Sequence, residues 1–261
     1  MTRLIQFKNA KIAFSEKGKG SAVILLHGFL ENSSMWNDST QRLSKNYRVI
    51  CIDLPGHGKS ACIGYVHSMD LMAEAVESVL KFLKIRRAIL IGHSMGGYVA
   101  LAYAEKYTKK VKGLCLMNST ATEDWGERKE FRSLAIKTVQ KKYAQVVKIS
   151  IRNLFSVENQ ERLKPKIKEV VKEALATPIQ GYIAAQEGMK NRPNREKVLL
   201  NPSFMTLQIS GEKDDVICLD VVQKENQRTQ VPLKILPGGH MSHIENKEAL
   251  ISILYSFVKS C

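Results

Sequence analysis

The chain of 261 residues has room for one compact domain with a sizeable insertion. Apolar residues make up 44% and charged residues 25%, an ordinary balance for a globular protein that argues against intrinsic disorder. The formal net charge is +15, and residues 125–200 hold 17 Lys or Arg against 8 Asp or Glu, a local balance of +9. These cations are mixed with acids and accompany no RNA- or DNA-binding motif. We therefore interpret them as a solvated, lysine-rich helical surface and expect no nucleic-acid partner.

Cysteine usage and the N-terminal sequence indicate the compartment. The five cysteines are widely spaced and form no C-x-x-C pair, so neither a disulfide framework nor a zinc ribbon is predicted. The segment from Met1 to Leu4 leads into alternating sequence rather than an apolar run, which predicts no secretory signal. No apolar stretch approaches the roughly 18 residues that a membrane span needs. We expect a cytoplasmic protein without stable membrane anchoring, and no metal or cofactor.

Short apolar or β-branched runs alternate with longer helical patterns along the chain. The predicted strands are residues 4–7, 11–15, 22–26, 47–52, 88–91, 111–117, 204–209 and 233–236. The first two are expected to form a hairpin, and the later runs are typical of strands buried on both faces. This alternation predicts an α/β fold with a mostly parallel sheet covered by helices on both faces.

Helical patterns separate most of the predicted strands. They fall at residues 35–43, 67–83, 98–107, 131–151, 160–176 and 246–258. From about residue 121 to residue 201 only lysine-rich helical patterns occur, without a convincing buried strand. We predict that residues 121–201 form a helical cap inserted into a single domain, whose core comprises residues 1–120 and 202–261.

The segment Gly92-His93-Ser94-Met95-Gly96 matches the pattern G-x-S-x-G. It follows a predicted buried strand and opens a helix, which is the context of a nucleophile elbow. Glycines two residues before and after the serine remove the clashes that so tight a turn would create. The serine Oγ is then expected at the positive end of a helix dipole, above the carboxyl ends of the strands. We predict Ser94 as a nucleophile.

A serine hydroxyl needs a base to remove its proton. Of the six histidines, His240 follows two glycines just after the last predicted strand, so its loop should emerge at the same sheet edge as Ser94. His243 is the main alternative, and we expect it instead to cap or pack the following helix. A metal site formed by His240 and His243 is disfavoured because no third ligand is evident.

The acid that orients the imidazole should follow the preceding strand. Glu212, Asp214 and Asp215 all lie in the segment directly after residues 204–209, and the spacing from the glycine at 211 favours Asp214. Asp124 is a weaker alternative. The chain order nucleophile, acid, base agrees with this assignment.

An oxyanion formed during attack needs two preorganised N–H donors. The Met95 N–H is one candidate, because it lies at the start of the helix after Ser94. The Phe29 N–H is the other, since Gly28 lets the loop after residues 22–26 approach closely. His27 is expected to be a structural hydrogen bonder rather than a catalytic group.

Taken together, the chain resembles the α/β-hydrolase superfamily, close to the esterase, lipase and enol-lactonase type with a single helical cap. The motifs that carry the resemblance are His27-Gly28-Phe29, Asp53-Leu54-Pro55-Gly56-His57-Gly58-Lys59-Ser60, Gly92 to Gly97, Gly211 to Asp214 and Gly239-His240. The resemblance implies an eight-stranded sheet, a cap over the pocket and no cofactor, and it supports Asp214 and His240. It does not extend to the cap, where families diverge. A serine at position 94 argues against haloalkane dehalogenases and epoxide hydrolases, which place an aspartate there.

These features predict a serine hydrolase that cleaves a small-molecule carboxylic ester, thioester or lactone through an acyl-enzyme. Alternatives are a carbon–carbon hydrolase or lyase with the same triad, and a non-catalytic ligand receptor. In the cap, Phe131, Leu134, Val139 and Phe155 are candidates to line the pocket, although packing the cap onto the body is the more ordinary role. The cap's positive balance hints at an anionic or carboxylate-bearing substrate. The sequence makes no prediction of oligomeric state.

Overall fold

A single eight-stranded sheet runs through the computed structural model, which describes residues 2–261; Met1, the first residue of the predicted core, lies outside them. The strands are β1 (Thr2–Phe7), β2 (Ala10–Lys17), β3 (Ala22–Leu26), β4 (Arg48–Ile52), β5 (Ala88–His93), β6 (Val111–Met117), β7 (Met205–Gly211) and β8 (Leu233–Leu236). Their order across the sheet is β1-β2-β4-β3-β5-β6-β7-β8. β2 pairs antiparallel with both β1 and β4, and all other pairs are parallel. The predicted fold class is confirmed.

Helices cover both faces of this sheet. The helices are α1 (Asn37–Leu43), α2 (Met69–Phe82), α3 (Met95–Lys106), α4 (Gly126–Arg152), α5 (Val157–Gln160), α6 (Lys164–Leu175), α7 (Ile179–Lys190), α8 (Leu219–Thr229), α9 (Ser242–Glu245) and α10 (Lys247–Ser260). Neither α7 nor α8 was among the individually predicted helices. α2 shows why such segments are helical: the Ser68 Oγ accepts the Leu71 N–H at 3.1 Å, with an acid in the first turn and a lysine in the last.

The central strands are buried on both faces, as their continuous apolar sequence predicted. In β3, Ala22, Ile24 and Leu26 join the core beneath α2 and α3, whereas Val23 and Leu25 join the core beneath α1 and α10. Successive side chains of a strand point to opposite faces, so one short apolar run contributes to both cores.

The helices α4 to α7 all lie between β6 and β7. α4 is interrupted at Lys142, whose φ of −137° and ψ of 43° are not helical, so its two halves point differently. A third apolar cluster joins these helices to the body through Leu30 and Met241. No helix within residues 2–261 is long and apolar enough to cross a membrane.

The two-sided burial of β3 leads to a stability prediction. Replacing Ile24, which is fully buried, with alanine should lower the free energy of unfolding by about 2–5 kcal/mol, because the deletion removes apolar contacts and leaves a cavity. Ile235→Ala in β8 is the matched control, since that side chain is 47% exposed and its loss should change the same quantity by less than about 0.5 kcal/mol. Urea unfolding followed by circular dichroism measures both. Equal losses in the two variants would contradict this account of the core.

Candidate active site

The turn at Ser94 joins β5 directly to α3, one residue separating the last strand residue from the first helical one. Ser94 has φ 50° and ψ −115°, a conformation that non-glycine residues rarely adopt. A Cβ at Gly92 would lie 2.3 Å from the Gly96 carbonyl oxygen, and one at Gly96 would lie 2.3 Å from the Leu26 carbonyl oxygen. Both glycines are therefore required by close backbone approach. The α3 dipole directs its positive end toward Ser94.

Asp214 and His240 form a buried hydrogen-bonded pair. Asp214 follows β7, His240 follows β8, and the Nδ1 of His240 lies 2.8 Å from Asp214 Oδ2. The other Asp214 oxygen accepts the backbone N–H groups of Val216 and Ile217, each at 2.9 Å. Burial alone would raise the pKa of Asp214, but His240 and these donors lower it below its ordinary value. Asp214 is thus a carboxylate that holds the Nδ1–H tautomer of His240.

Asn118 is a polar residue near this pair that sequence reasoning missed. It follows β6 with φ 47°, and its Nδ2 donates to Asp214 Oδ2 at 3.0 Å. In the sequence, Asn118 could have been identified as a candidate site residue because it directly follows a predicted buried strand, at the sheet edge where Ser94 is expected.

Ser94 and His240 line one cavity of about 80 Å³. No hydrogen bond joins the Ser94 Oγ to His240 Nε2 in the part of the chain described, and neither atom has another protein partner there. With Nδ1 committed to Asp214, Nε2 is the nitrogen available for a proton from the cavity.

The two predicted oxyanion donors lie near the same cavity. Phe29 lines it, and Met95 is the first residue of α3, whose early N–H groups have no helical acceptor. Within residues 2–261 neither the Phe29 nor the Met95 N–H donates a hydrogen bond. The Gly28 N–H, in contrast, donates to Glu31 Oε2 at 2.7 Å and is not available.

The alternative acids and the alternative base lie elsewhere. Glu212 and Asp215 are exposed, and Asp124 is buried among arginines rather than beside a histidine. His243, in α9, has its Nε2 3.6 Å from Glu31 Oε1, and burial lowers its pKa to about 4. Among the described residues no group of three or more His, Cys, Asp or Glu could hold a metal ion.

His27 bridges two backbone segments. Its Nε2 accepts the Leu54 N–H at 2.8 Å, and its Nδ1 lies 2.7 Å from the Gly28 carbonyl. Burial lowers its pKa, so the ring is neutral and donates through Nδ1. It connects the loop after β3 to the loop after β4.

A second buried pair, Glu31 and His93, lies directly behind His240 and was not predicted. The His93 Nδ1 is 2.7 Å from Glu31 Oε2, and its Nε2 is 3.0 Å from the His240 carbonyl oxygen. Because both partners are acceptors, both ring nitrogens must donate, which requires a charged imidazolium. Burial alone would lower the pKa of His93, but the Glu31 carboxylate raises it. Burial alone would raise the pKa of Glu31, but His93 lowers it to about 2.

The cap residues proposed from sequence divide into two groups. Val139 and Phe155 are buried in the third apolar cluster, whereas Phe131 and Leu134 are 70% and 62% exposed. The expectation that Phe131 and Leu134 line the substrate pocket or pack the cap onto the body was therefore wrong: neither lines the cavity beside Ser94, and both lie on the solvent side of α4, whose buried stripe runs through Arg132, Ile136 and Val139. The insertion instead lines the cavity with Arg128, Arg132, Ser150, Ile151, Leu154 and Met189.

Two features that are typical of the α/β-hydrolase fold are both present here. One is a serine in a strained strand-to-helix turn, and the other is a carboxylate-bound histidine at the same sheet edge. The family model described as alpha/beta hydrolase fold matches residues 21–247. The chain belongs to this family, and the resemblance noted in its sequence is confirmed.

Individual relatives support the same family. The chain is 28% identical to 3-oxoadipate enol-lactonase 1 of Acinetobacter baylyi, over 98% of this chain and 95% of that protein. A thermophilic esterase from Thermogutta terrifontis, solved with malate bound, superposes with a TM-score of 0.93 at 28% identity, covering 100% of this chain and 98% of that one. The enol-lactonase from Burkholderia xenovorans LB400 superposes with a TM-score of 0.91, covering 98% and 100%, but at 21% identity this likeness shows the fold alone.

The Glu31–His93 pair predicts a characteristic pH dependence of stability. Because the pKa of Glu31 is lowered from 4.5 to about 2, its ionised carboxylate stabilises the fold at pH values above 4.5. This stabilisation is lost as the pH falls toward about 2. Because the pKa of His93 is raised above 6.5, its imidazolium stabilises the fold fully at pH values below 6.5. This stabilisation is lost as the pH rises through the pKa of His93 in the folded protein. Wild type should therefore exceed Glu31→Gln in free energy of unfolding most strongly between pH 4.5 and 6.5, by about 1–3 kcal/mol.

Urea unfolding at a series of pH values measures this difference. Glu212→Gln removes an exposed carboxylate and should give a curve parallel to wild type. A Glu31→Gln difference that stays constant from acid to alkaline pH would show that no ion pair forms.

Proposed function

We propose that this protein hydrolyses a carboxylic ester, thioester or lactone through an acyl-enzyme, with Ser94 as nucleophile, His240 as base and Asp214 as the acid that orients the base. The observation that carries the proposal is the shared cavity: Ser94, held in a strained turn, and His240, held by Asp214, line the same small space. Similarity over nearly the whole chain to an esterase and to an enol-lactonase supports an enzyme that acts on ester bonds.

The first half of the proposed reaction forms the acyl-enzyme. Ser94 Oγ attacks the carbonyl carbon while its proton passes to His240 Nε2, and the Asp214 carboxylate stabilises the resulting imidazolium. The N–H groups of Phe29 and Met95 are the proposed donors to the oxyanion. When the tetrahedral intermediate collapses, the imidazolium protonates the departing alcohol and the acyl group stays on Ser94.

The second half returns the free enzyme. A water molecule gives its proton to His240 Nε2 and attacks the acyl carbonyl, and collapse releases the carboxylic acid while Ser94 recovers its proton. The Asp214–His240 geometry suits both halves, because the same nitrogen alternates between accepting and donating a proton.

We further propose that the protein acts on a small-molecule substrate in the cytoplasm, without a nucleic-acid partner or stable membrane anchoring. Five free cysteines support a reducing compartment; they are Cys51, Cys62, Cys115, Cys218 and Cys261. The small cavity supports a small substrate.

Catalysis by these residues predicts a specific activity pattern. With 4-nitrophenyl acetate and butyrate, Ser94→Ala and His240→Ala should each lower kcat by on the order of 10⁴-fold, because removing either member disables the triad. Asp214→Asn should behave similarly, since the imidazole loses the carboxylate that holds its tautomer. Release of 4-nitrophenolate measures each variant.

Asp215→Asn is the matched control, because it makes the same chemical change one residue away at an exposed position. It should retain activity within about 3-fold, and a far larger loss in Asp215→Asn than in Asp214→Asn would overturn the acid assignment. Labelling of Ser94 by a fluorophosphonate without turnover of any ester would favour the receptor hypothesis. Wild-type turnover no greater than that of Ser94→Ala would exclude ester hydrolysis at this serine.

A further inference from the structure

We propose that the cavity beside Ser94 accepts a small ester or lactone that carries an ionised carboxylate, and that Arg128 and Arg132 of α4 bind this carboxylate. The inference rests on the proposed function, since the ester bond is the one cleaved at Ser94. For an ester with the carboxylate on its acyl part, one water is consumed, the acyl–oxygen bond breaks, and an alcohol and a dicarboxylic acid are released.

The two arginines are part of the cavity wall. Arg128 and Arg132 lie one helical turn apart on α4, and both line the cavity that Ser94 and His240 line. Arg132 is 8% exposed, so its charge is largely removed from bulk solvent.

The charges around these arginines do not balance. A single buried carboxylate, Asp124, is shared by three guanidinium groups: those of Arg128 at 3.1 Å and Arg192 at 2.6 Å on one oxygen, and that of Arg132 on the other. Three positive charges against one leave a surplus of two. Uncompensated charge in a shielded position is costly, and a ligand carboxylate in the cavity would offset it.

Glu31, the acidic residue among those that line the cavity, does not supply the missing charge. Glu31 accepts hydrogen bonds from His93 and from the Gly28 N–H, and its carboxylate is matched by the His93 imidazolium. The positive surplus therefore remains with the arginines of α4.

Each arginine retains donors for a ligand. Arg132 donates through Nε to Asp124 and through Nη1 to the Gln186 Oε1 at 2.7 Å, and Arg128 donates through Nη1 to the Val216 carbonyl at 2.7 Å. Over residues 2–261 the Nη2 groups of both arginines have no acceptor. Guanidinium N–H groups match the geometry of a carboxylate, which makes arginine the usual residue for binding one.

The arginines are also held in place relative to the candidate catalytic groups. Val216 donates its N–H to Asp214 and accepts from Arg128 through its carbonyl, so one residue connects the acid of the candidate triad to the proposed anion site. Such fixed donors lose little conformational entropy when a ligand binds.

The cavity size limits the substrate further. Its volume of about 80 Å³ favours a short acyl part over a long chain. The carboxylate is therefore expected a few bonds from the ester carbonyl.

A matched pair of substrates tests the proposal. Monomethyl succinate and methyl butyrate differ only by a carboxylate in place of a terminal methyl group, and a pH-stat measures the acid released from each. Wild type should hydrolyse monomethyl succinate with the higher kcat/KM. Arg128→Gln should lower kcat/KM for monomethyl succinate by about 30-fold or more, and for methyl butyrate by less than about 3-fold.

Lys137→Gln is the control, because it removes one positive charge from an exposed position of the same helix and should change neither value appreciably. Arg132→Gln should follow Arg128→Gln, and its methyl butyrate activity reports whether the more buried site has folded. Preference for methyl butyrate in wild type, or equal losses on both esters in Arg128→Gln, would overturn the anion site while leaving the proposed function intact. Competitive inhibition by inorganic phosphate but not by succinate would overturn the carboxylate assignment.

A calorimetric titration of succinate separates the two proposals. If wild type hydrolyses neither these methyl esters nor the 4-nitrophenyl esters, the proposed function fails, and succinate binding that Arg128→Gln weakens at least about 10-fold still supports the anion site. Equal binding of succinate by wild type and Arg128→Gln would contradict it.

Discussion

The candidate site depends on the abrupt turn between β5 and α3 at Ser94. The left-handed backbone there is unfavourable in isolation, and neighbouring strands hold it. The Ser94 N–H donates to the Met117 carbonyl at the end of β6 at 2.9 Å, while Gly96 approaches the end of β3 so closely that no Cβ fits. The strain is thus supported by strands on both sides of β5. This support lets a serine stand at a helix N-terminus beside the cavity.

The order of the strands in the sheet brings the other candidate residues close to Ser94. β5, β6, β7 and β8 are consecutive parallel neighbours, so the residues that follow them emerge at one edge of the sheet. Ser94, Asn118, Asp214 and His240 follow these four strands in turn. These four residues are far apart along the chain, but each lies in or beside a short loop at this edge, so they come close together in the fold. His93 adds a connection of its own, since it joins the elbow to the His240 carbonyl and to Glu31.

Local sequence patterns predicted the eight strands within a few residues and the sheet edge where polar residues gather, because a strand buried on both faces needs a continuous apolar run. They could not predict pairings that depend on three-dimensional packing. Glu31 lies in the loop after β3 and His93 is the last residue of β5, and only folding brings their charges together. Asp214 and Asp215 are identical in type, and only the spacing from Gly211 favoured Asp214; in the structure Asp214 is buried against His240, whereas Asp215 is exposed. In α4 the apolar pattern was misleading because the inward stripe includes Arg132, which a search for hydrophobic residues passes over.

The two buried charge clusters near the cavity differ in a way that bears on function. Glu31 and His93 form a one-to-one pair, so their fields largely cancel and their effect is to position the backbone of His240. Three guanidinium groups share the single carboxylate of Asp124, so a positive field persists at the cavity wall. The chain carries a net charge of +15, yet most exposed lysines are screened by solvent and salt and act weakly on the cavity. Charge in a shielded position acts far more strongly over the same distance. Position rather than total charge is therefore what gives the arginines of α4 their influence on a ligand beside Ser94.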